Sequence, residues 1–414
     1  MNLYGIRHFV STKVWKRSAK IMGRVANFRV GTFKLTGLVL SSSKDYLYNP
    51  WVAKDGTFYC DCQGFEGAET ICSHIMALLR KAEFEGFDID PWIKGLRGEN
   101  IVDDDMIYET SLEGYNKLFG GLRGGRHISC LCAEPEIGKS YLSAQFAVDM
   151  AVKHNLSSLI IDTEGGFAPE WVELIAKRFD AEIPVKFIDW RVRVEGEDNP
   201  APKYDYKKFD VTKYASKDPT VYIYDARHII QVLPFFGRPL SFKIKSGVIE
   251  PIEAGGMKPI WDSPIGQLVE SCNIGYVAND SLSMPLENFF TGGQINYRTR
   301  AKATQVWLGR AQDLIDEYKI VFMNIAHAVV DHTNKWSDPI PVGGKAVLHN
   351  NKYIAMLRRY QNKKAAKDQK VNWRNLRRLQ IFRHMTKPPF SEETFCMTTD
   401  AGIIDFDPKG IEEE

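Results

Sequence analysis

The stretch Ile128-Ser129-Cys130-Leu131-Cys132-Ala133-Glu134-Pro135-Glu136-Ile137-Gly138-Lys139-Ser140-Tyr141-Leu142 decides the fold. An apolar run, a turn ending in Gly-Lys-Ser and a helix-like continuation through Ala147 give the order strand, loop, helix. In that order the backbone N–H groups of the loop and of the helix N-terminus can cradle phosphates. Lys139 can reach the outer phosphates, and the Ser140 hydroxyl can hold Mg²⁺. Nucleotide contacts are therefore expected from Glu134, Pro135, Glu136, Ile137, Gly138, Lys139 and Ser140. Two positions depart from the usual pattern. Ala133 stands where such loops begin with Gly, and Glu136 where many carry another, placing a carboxylate beside the phosphates. A strand-turn-helix that carries Gly-Lys-Ser by coincidence is the alternative.

The 414 residues suffice for two or three domains, and 44% hydrophobic with 26% charged residues is a globular rather than a disordered or fibrous composition. No apolar run approaches membrane-spanning length, and Arg7 and His8 interrupt the N-terminus before any signal-peptide core. The expected location is the cytoplasm, in association with the nucleoid, with no membrane partner. A net charge of +2 hides an uneven distribution. Residues 1–44 contain nine Lys or Arg and no acid, and residues 358–387 contain eleven against Asp368 alone, with Trp373 interleaved. The second segment is the stronger footprint for DNA, with Lys363, Lys364, Lys367, Lys370 and Arg374 as candidate contacts; a solvated basic hairpin is the alternative.

Seven cysteines, an odd and clustered set, argue for metal binding by reduced thiols. Cys60-Asp61-Cys62, then Cys72-Ser73-His74 at the head of an apolar helix, can supply three thiolates and one imidazole to a closed tetrahedral Zn²⁺ site. Buried thiols beside a helix-start His are the alternative. Alternating apolar and polar residues up to about position 48 suggest a small antiparallel sheet ahead of this cluster. Sheet, Cys-x-Cys and Cys-x-His together resemble the SWIM zinc finger over roughly residues 20–82. That resemblance implies a module that contacts DNA or protein.

Further along, Leu118-Phe119-Gly120-Gly121-Leu122 precedes the phosphate loop, and Asp162-Thr163-Glu164-Gly165 with Phe167 and Pro169-Glu170 follows it. These segments resemble the ATPase core of the RecA/RadA recombinase superfamily, archaeal and eukaryotic branch, over roughly residues 108–408. The resemblance implies that Glu164 activates the attacking water while Lys139 stabilises the phosphates. In Ile274–Ser281 it implies a Walker B strand, with Asp280 joining Ser140 at Mg²⁺. His327 falls where the family has its γ-phosphate-sensing Gln, and Asp338-Pro339 where it caps ATP bound to the neighbouring subunit. The two DNA loops would span 285–300 and 328–344, with Arg298, Arg300 and Lys335 in them and Lys345 just after the second as candidate DNA contacts. The family's adenine-stacking Arg is replaced by Ala168, with Trp171 a substitute stacker, and its Gly-Arg-Gly is absent. Its Phe-x-x-Ala joining motif occurs as Phe65-Glu66-Gly67-Ala68.

The expected fold is thus α/β: a RecA-like P-loop ATPase core with a mainly parallel sheet, preceded by a small α+β SWIM zinc-finger domain. The expected layout is finger 1–82, linker 83–109 and core 110–414, with an insertion around 190–270 that includes a hairpin near 241–250. The implied function is that of an ATP-dependent DNA-binding protein of homologous recombination and repair. It would use ATP, Mg²⁺ and Zn²⁺, bind single-stranded DNA and form a homo-oligomer or pair with a recombinase, as a DNA-dependent ATPase. The alternative is a recombinase paralogue that does not hydrolyse ATP and acts as scaffold or mediator through its finger.

Overall fold

The computed structural model describes residues 10–30, 34–40, 46–53, 58–62, 71–89, 92–93, 96, 106–190, 209–238, 240–245, 248–253, 259–285, 297–329, 340–342, 347–348 and 350–408. The chain divides into two compact units, Met1–Asp104 and Asp105–Glu414.

The first unit opens with helix α1 (Thr12–Ile21), where alternation suggests a strand. The Ser11 side chain caps it by accepting from the Val14 N–H, and Ser18 and Ile21 form its buried stripe, so a 3.6-residue period lies beneath the alternation. Strands β1 (Val25–Val30), β2 (Lys34–Leu40), β3 (Leu47–Tyr48), β4 (Trp51–Ala53) and β5 (Phe58–Tyr59) form one antiparallel sheet in the order β1-β2-β4-β5, with β3 also on β2. Helix α2 (Ser73–Phe84) supplies most of the small core through Ile75, Met76, Leu78 and Leu79, all fully buried. It also meets α1, where the Arg80 guanidinium lies 4.1 Å over the Trp15 ring and donates to Ser18 Oγ at 2.9 Å.

The second unit is built on a large sheet. Its elements are β6 (Met106–Tyr108), α3 (Glu113–Phe119), β7 (Leu122–Gly124), β8 (Ile128–Ala133), α4 (Lys139–His154), β9 (Ser157–Asp162), α5 (Pro169–Lys177), β10 (Val185–Phe187), β11 (Val221–Asp225) and α6 (Ile229–Phe235). There follow the ribbon β12 (Leu240–Lys245) with β13 (Val248–Glu253), then α7 (Pro264–Ser271), β14 (Ile274–Asp280), α8 (Tyr297–Tyr318), β15 (Val321–Val329) and β16 (Ile340–Pro341). The chain ends with β17 (Asn351–Arg359), α9 (Lys363–Asp368), β18 (Leu376–Arg383), β19 (Glu393–Thr399) and β20 (Gly402–Asp405).

The strand order is β10-β11-β9-β14-β15-β8-β17-β18-β19-β20. The first seven run parallel; the last three continue as an antiparallel meander. Alternate residues of the parallel strands enter two cores. Leu131, Ile160, Ala278 and Ile325 face α4 and α5, whereas Cys132, Ile161, Val277 and Phe322 face α6, α7 and α8. Helices on both faces explain why β8, β9 and β14 read as continuous buried runs rather than alternating ones. Inside the stretch 190–270, β11 is an interior strand of this sheet, and among the described residues the antiparallel ribbon β12–β13 pairs only with itself.

Three fully buried amides form a chain through the centre of the sheet. Asn279 Nδ2 donates to Asn324 Oδ1 (3.0 Å), Asn324 Nδ2 to Asn351 Oδ1 (3.1 Å), and Asn351 Nδ2 to the Val347 carbonyl (2.7 Å).

Candidate functional site

The parallel strands end together on one edge. Asp280 is in register with Asp162, Asp162 with Asp225, and His327 with Ala133, so the carboxyl ends of β8, β9, β14 and β15 share one rim. Ligands of open α/β sheets bind at this carboxyl-end crevice.

The loop after β8 turns on two left-handed residues, Glu136 (φ 61°) and Gly138 (φ 104°). A Cβ at Gly138 would meet only Thr398 Oγ1, at 4.0 Å, so the backbone conformation and not crowding calls for glycine there. Glu136 holds the same kind of conformation with a full side chain, at a cost of about 1 kcal/mol. Glu134, Pro135 and Glu136 are exposed, Ile137 is buried as a plug, and Gly138 caps α4, leaving that helix's first N–H groups at the rim. Lys139 is buried and its Nζ donates to the Glu134 carbonyl at 3.1 Å. Burial lowers its pKa, opposed by the carboxylates of Asp280 and Glu164.

Asp280 is also buried, which pushes its pKa up to about 6; the Ser140 hydroxyl beside it opposes the shift, and Glu164 and Asp162 add to it. Its Oδ1 has no hydrogen-bond partner among the described residues. A buried carboxylate oxygen left over next to a serine hydroxyl is a hard-oxygen donor set of the kind that suits Mg²⁺. The Asp280–Ser281 peptide is cis.

The two acids after β9 have opposite roles. Asp162 is consumed by the turn: Oδ1 accepts from the N–H groups of Glu164 (3.2 Å) and Gly165 (2.8 Å), and Oδ2 from that of Phe167 (3.1 Å). Thr163 ties this turn to the end of β14, its hydroxyl donating to the Ser281 carbonyl (2.8 Å) and accepting from the Ser281 N–H (2.6 Å). Glu164 is thereby held out over the rim, about one-third exposed. Its Oε1 lies 2.8 Å from His327 Nε2, and this hydrogen bond, ahead of the opposing effect of burial, lowers its pKa. His327 Nδ1 is buried with no partner among the described residues. Trp171, in the first turn of α5, makes edge contacts with Phe167 and Tyr141, each at 5.7 Å, giving the rim an aromatic wall.

The structure therefore gathers Glu134, Ile137, Gly138, Lys139, Ser140, Glu164, Asp280 and His327 at one rim. Asp338, Pro339, Lys335 and Lys345 lie outside the described residues, as does Phe65–Ala68. Arg298 and Arg300 belong to the first turns of α8 rather than to a loop. Lys363, Lys364 and Lys367 are exposed on α9, and Lys370 and Arg374 are exposed after it. The Trp373 ring is flanked by Lys363 Nζ (5.3 Å) and Arg374 Cζ (5.8 Å). Sequence reasoning missed Arg377, whose Nε donates to the Ile137 carbonyl at 2.8 Å, and the turn-holding part of Asp162. Only an Asp two residues ahead of a Glu-Gly turn hinted at the latter.

In the first unit, Cys60 and Cys62 follow β5, Cys72 caps α2 and His74 lies in its first turn. One ligand atom from each lies within 4.8 Å of all the others. His74 Nδ1 is 3.6 Å from Cys60 Sγ and 3.9 Å from Cys72 Sγ. These approach the edges of about 3.5–3.8 Å that a Zn²⁺ tetrahedron imposes with its ~2.3 Å sulfur and ~2.0 Å nitrogen bonds. All four are buried, and hydrogen bonds from Cys60, then Cys72, lower the pKa of Cys62 and favour a thiolate. His74 stacks on Tyr48 at 4.3 Å, and Asp61 pins the ligand loop by accepting from the Asn49 N–H at 2.8 Å. These residues fit a structural Zn²⁺.

No family model and no curated protein matches the chain. Among solved structures it is similar to one described as the crystal structure of the RadB recombinase, at 14% identity and a TM-score of 0.43, covering 73% of this chain and 100% of that one.

Proposed function

We propose that this chain is a RecA/RadA-type ATP-binding protein that acts on single-stranded DNA in recombination and repair, with a SWIM-like zinc finger as its first domain. The observation that carries the reading is the convergence of Lys139, Ser140, Asp280 and Glu164 at one rim, beside the N-terminus of α4. A buried lysine and a helix N-terminus suit the phosphates of a nucleotide. Ser140 and Asp280 would hold Mg²⁺, which supplies charge neutralisation when bound. Glu164, fixed by the Asp162 turn and unlike Asp162 not spent on backbone bonds, is the candidate to orient and deprotonate a water. Trp171 is the candidate to stack the base. Cys60, Cys62, Cys72 and His74 would hold Zn²⁺ in a structural role. The exposed lysines of α9 and Arg374, around Trp373, combine charge with a stacking surface suited to a single strand. Asp338-Pro339 would close a nucleotide site between subunits.

The test is ATP turnover with and without single-stranded DNA. Wild type should be stimulated by DNA, and Glu164→Gln should lose turnover by about 10²-fold or more while still binding nucleotide. Equal turnover in the two proteins would overturn the catalytic assignment. A second reading, a paralogue that binds ATP without turning it over and serves as a mediator, is favoured by the Glu164–His327 hydrogen bond, because a base whose pKa is lowered by a partner abstracts protons poorly. His327→Ala distinguishes the two: faster turnover means that His327 restrains Glu164.

A further inference from the structure

Ile137 is the buried link between the exposed tip of the phosphate loop and Gly138. Its carbonyl is held by Arg377, 240 residues away on β18. The other side of the same guanidinium, Nη1, donates to the carbonyls of Arg374 and Leu376 (3.0 Å), at the foot of the basic hairpin. Arg377 is 7% exposed, and every hydrogen bond it makes among the described residues goes to a neutral carbonyl. In register it stands directly opposite Arg359. Burying a cation without a carboxylate and opposite a like charge is costly, and an apolar side chain would suit this place better if packing were its sole purpose. Burial lowers its pKa accordingly, and Arg359 adds to the effect. Only a planar fork can hold both carbonyl sets at once; the single ammonium of lysine cannot.

We propose that Arg377 is a positioning residue that couples occupancy of the basic hairpin by single-stranded DNA to the shape of the phosphate loop, so that DNA changes the affinity for nucleotide. The proposal rests on the reading of that loop as the nucleotide site. A phosphate backbone drawn to Lys363, Lys367, Lys370 and Arg374 shifts the Arg374 carbonyl. The rigid fork passes the shift to the Ile137 carbonyl, and so to the N–H groups of the next residues, Gly138 and Lys139. The helix behind them is anchored separately. Tyr141 donates to the carbonyls of Thr399 (3.1 Å) and Asp400 (2.8 Å), and Gln145 bonds both the N–H (2.6 Å) and the carbonyl (2.9 Å) of Ile403. The loop therefore moves against a fixed α4.

The experiment measures the dissociation constant of a fluorescent ATP analogue for the full chain, alone and with saturating oligothymidylate. In wild type the two values should differ by about fivefold or more. Arg377→Lys and Arg377→Gln should still bind nucleotide, with the two values equal. A purely structural arginine would weaken binding alike in both conditions, leaving the wild-type ratio intact; that result, or a wild-type ratio of one, overturns the coupling. A wild type that binds no nucleotide overturns the underlying reading of the loop instead. If the variants do not fold, hydrogen exchange in wild type decides. Altered protection of residues 136–140 on adding oligothymidylate alone supports the coupling, and unaltered protection overturns it.

Discussion

The Cys60–His74 cluster and the rim of the second unit both gather buried polar atoms, yet the first leaves them facing each other and the second ties several of them to the backbone. At the cluster, three thiols and an imidazole converge on a common centre with few other partners, and His74 Nε2 has none among the described residues. Such a set suits an ion at its centre, and the small core around α2 is built against it. At the rim, Asp162, Thr163 and Arg377 are bonded to backbone groups of the protein itself, so the shape of the rim is held by the chain's own hydrogen bonds. The lesson is one of dependence: the first unit should need its ligand to fold, and the second only to work.

The sharpest way to break this contrast is to remove the metal. Cys60→Ser, or chelation, should release one zinc per chain and abolish the cooperative melting of the first unit, since structural zinc sites contribute about 10 kcal/mol or more. The transition of the second unit should stay where it was, and calorimetry with metal analysis reads both. Unchanged zinc would refute the site.

Within the second unit, Asp162→Ala removes three bonds from one turn and should cost about 3 kcal/mol in denaturant unfolding. Because Glu164 loses its support, turnover should fall further than nucleotide affinity.

Asp149, like Asp280, departs from this pattern. On α4, its Oδ2 accepts from the N–H (2.9 Å) and hydroxyl (3.1 Å) of Ser111, but its buried Oδ1 has no partner among the described residues. Burial, opposed by these bonds, raises its pKa from 3.8 to about 6. Folding thus favours the protonated acid, so its contribution is complete below pH 3.8 and is lost as pH rises through about 6. The loss is at most ~3 kcal/mol, and Asp149→Asn should flatten the fall in melting temperature across that window. An unchanged slope would assign the pH dependence elsewhere.

The smallest expected effect is at Glu136. Glu136→Gly relieves a left-handed residue and removes a carboxylate from the loop tip, so it should stabilise by about 1 kcal/mol and tighten nucleotide binding in titration calorimetry. Weaker binding would mean that the carboxylate serves the site.

Much of the rim could be read in the chain. Gly138-Lys139-Ser140 after an apolar run, and acids at the ends of such runs, are local patterns with a fixed physical meaning, and the buried parallel strands follow from runs that do not alternate. Other parts depend on distance. Arg377 meets Ile137 across 240 residues, and in a segment holding eleven cations nothing marks it as the one that turns inward. Helix α1 was hidden because Ser18 and Ile21 pack under α2 and Arg80, contacts that alternation cannot report. Which of Asp162 and Glu164 is spent on the backbone depends on the turn conformation, with Gly165 at φ 71°, not on residue type.

The asparagine chain of the central strands bears on how this sheet finds its alignment. Strands buried on both faces read as Ile-Ser-Cys-Leu-Cys-Ala or Ser-Ser-Leu-Ile-Ile-Asp, and sliding one past its neighbour exchanges one apolar residue for another at little cost. On β14, β15 and β17, Asn279, Asn324 and Asn351 limit that freedom. The native alignment places all three amides in contact, and a slip would break the Asn279–Asn324 and Asn324–Asn351 bonds in a dry interior. They act as pins that specify which of several nearly equivalent pairings becomes the native one, and so bring Asp280 and His327 to the same rim.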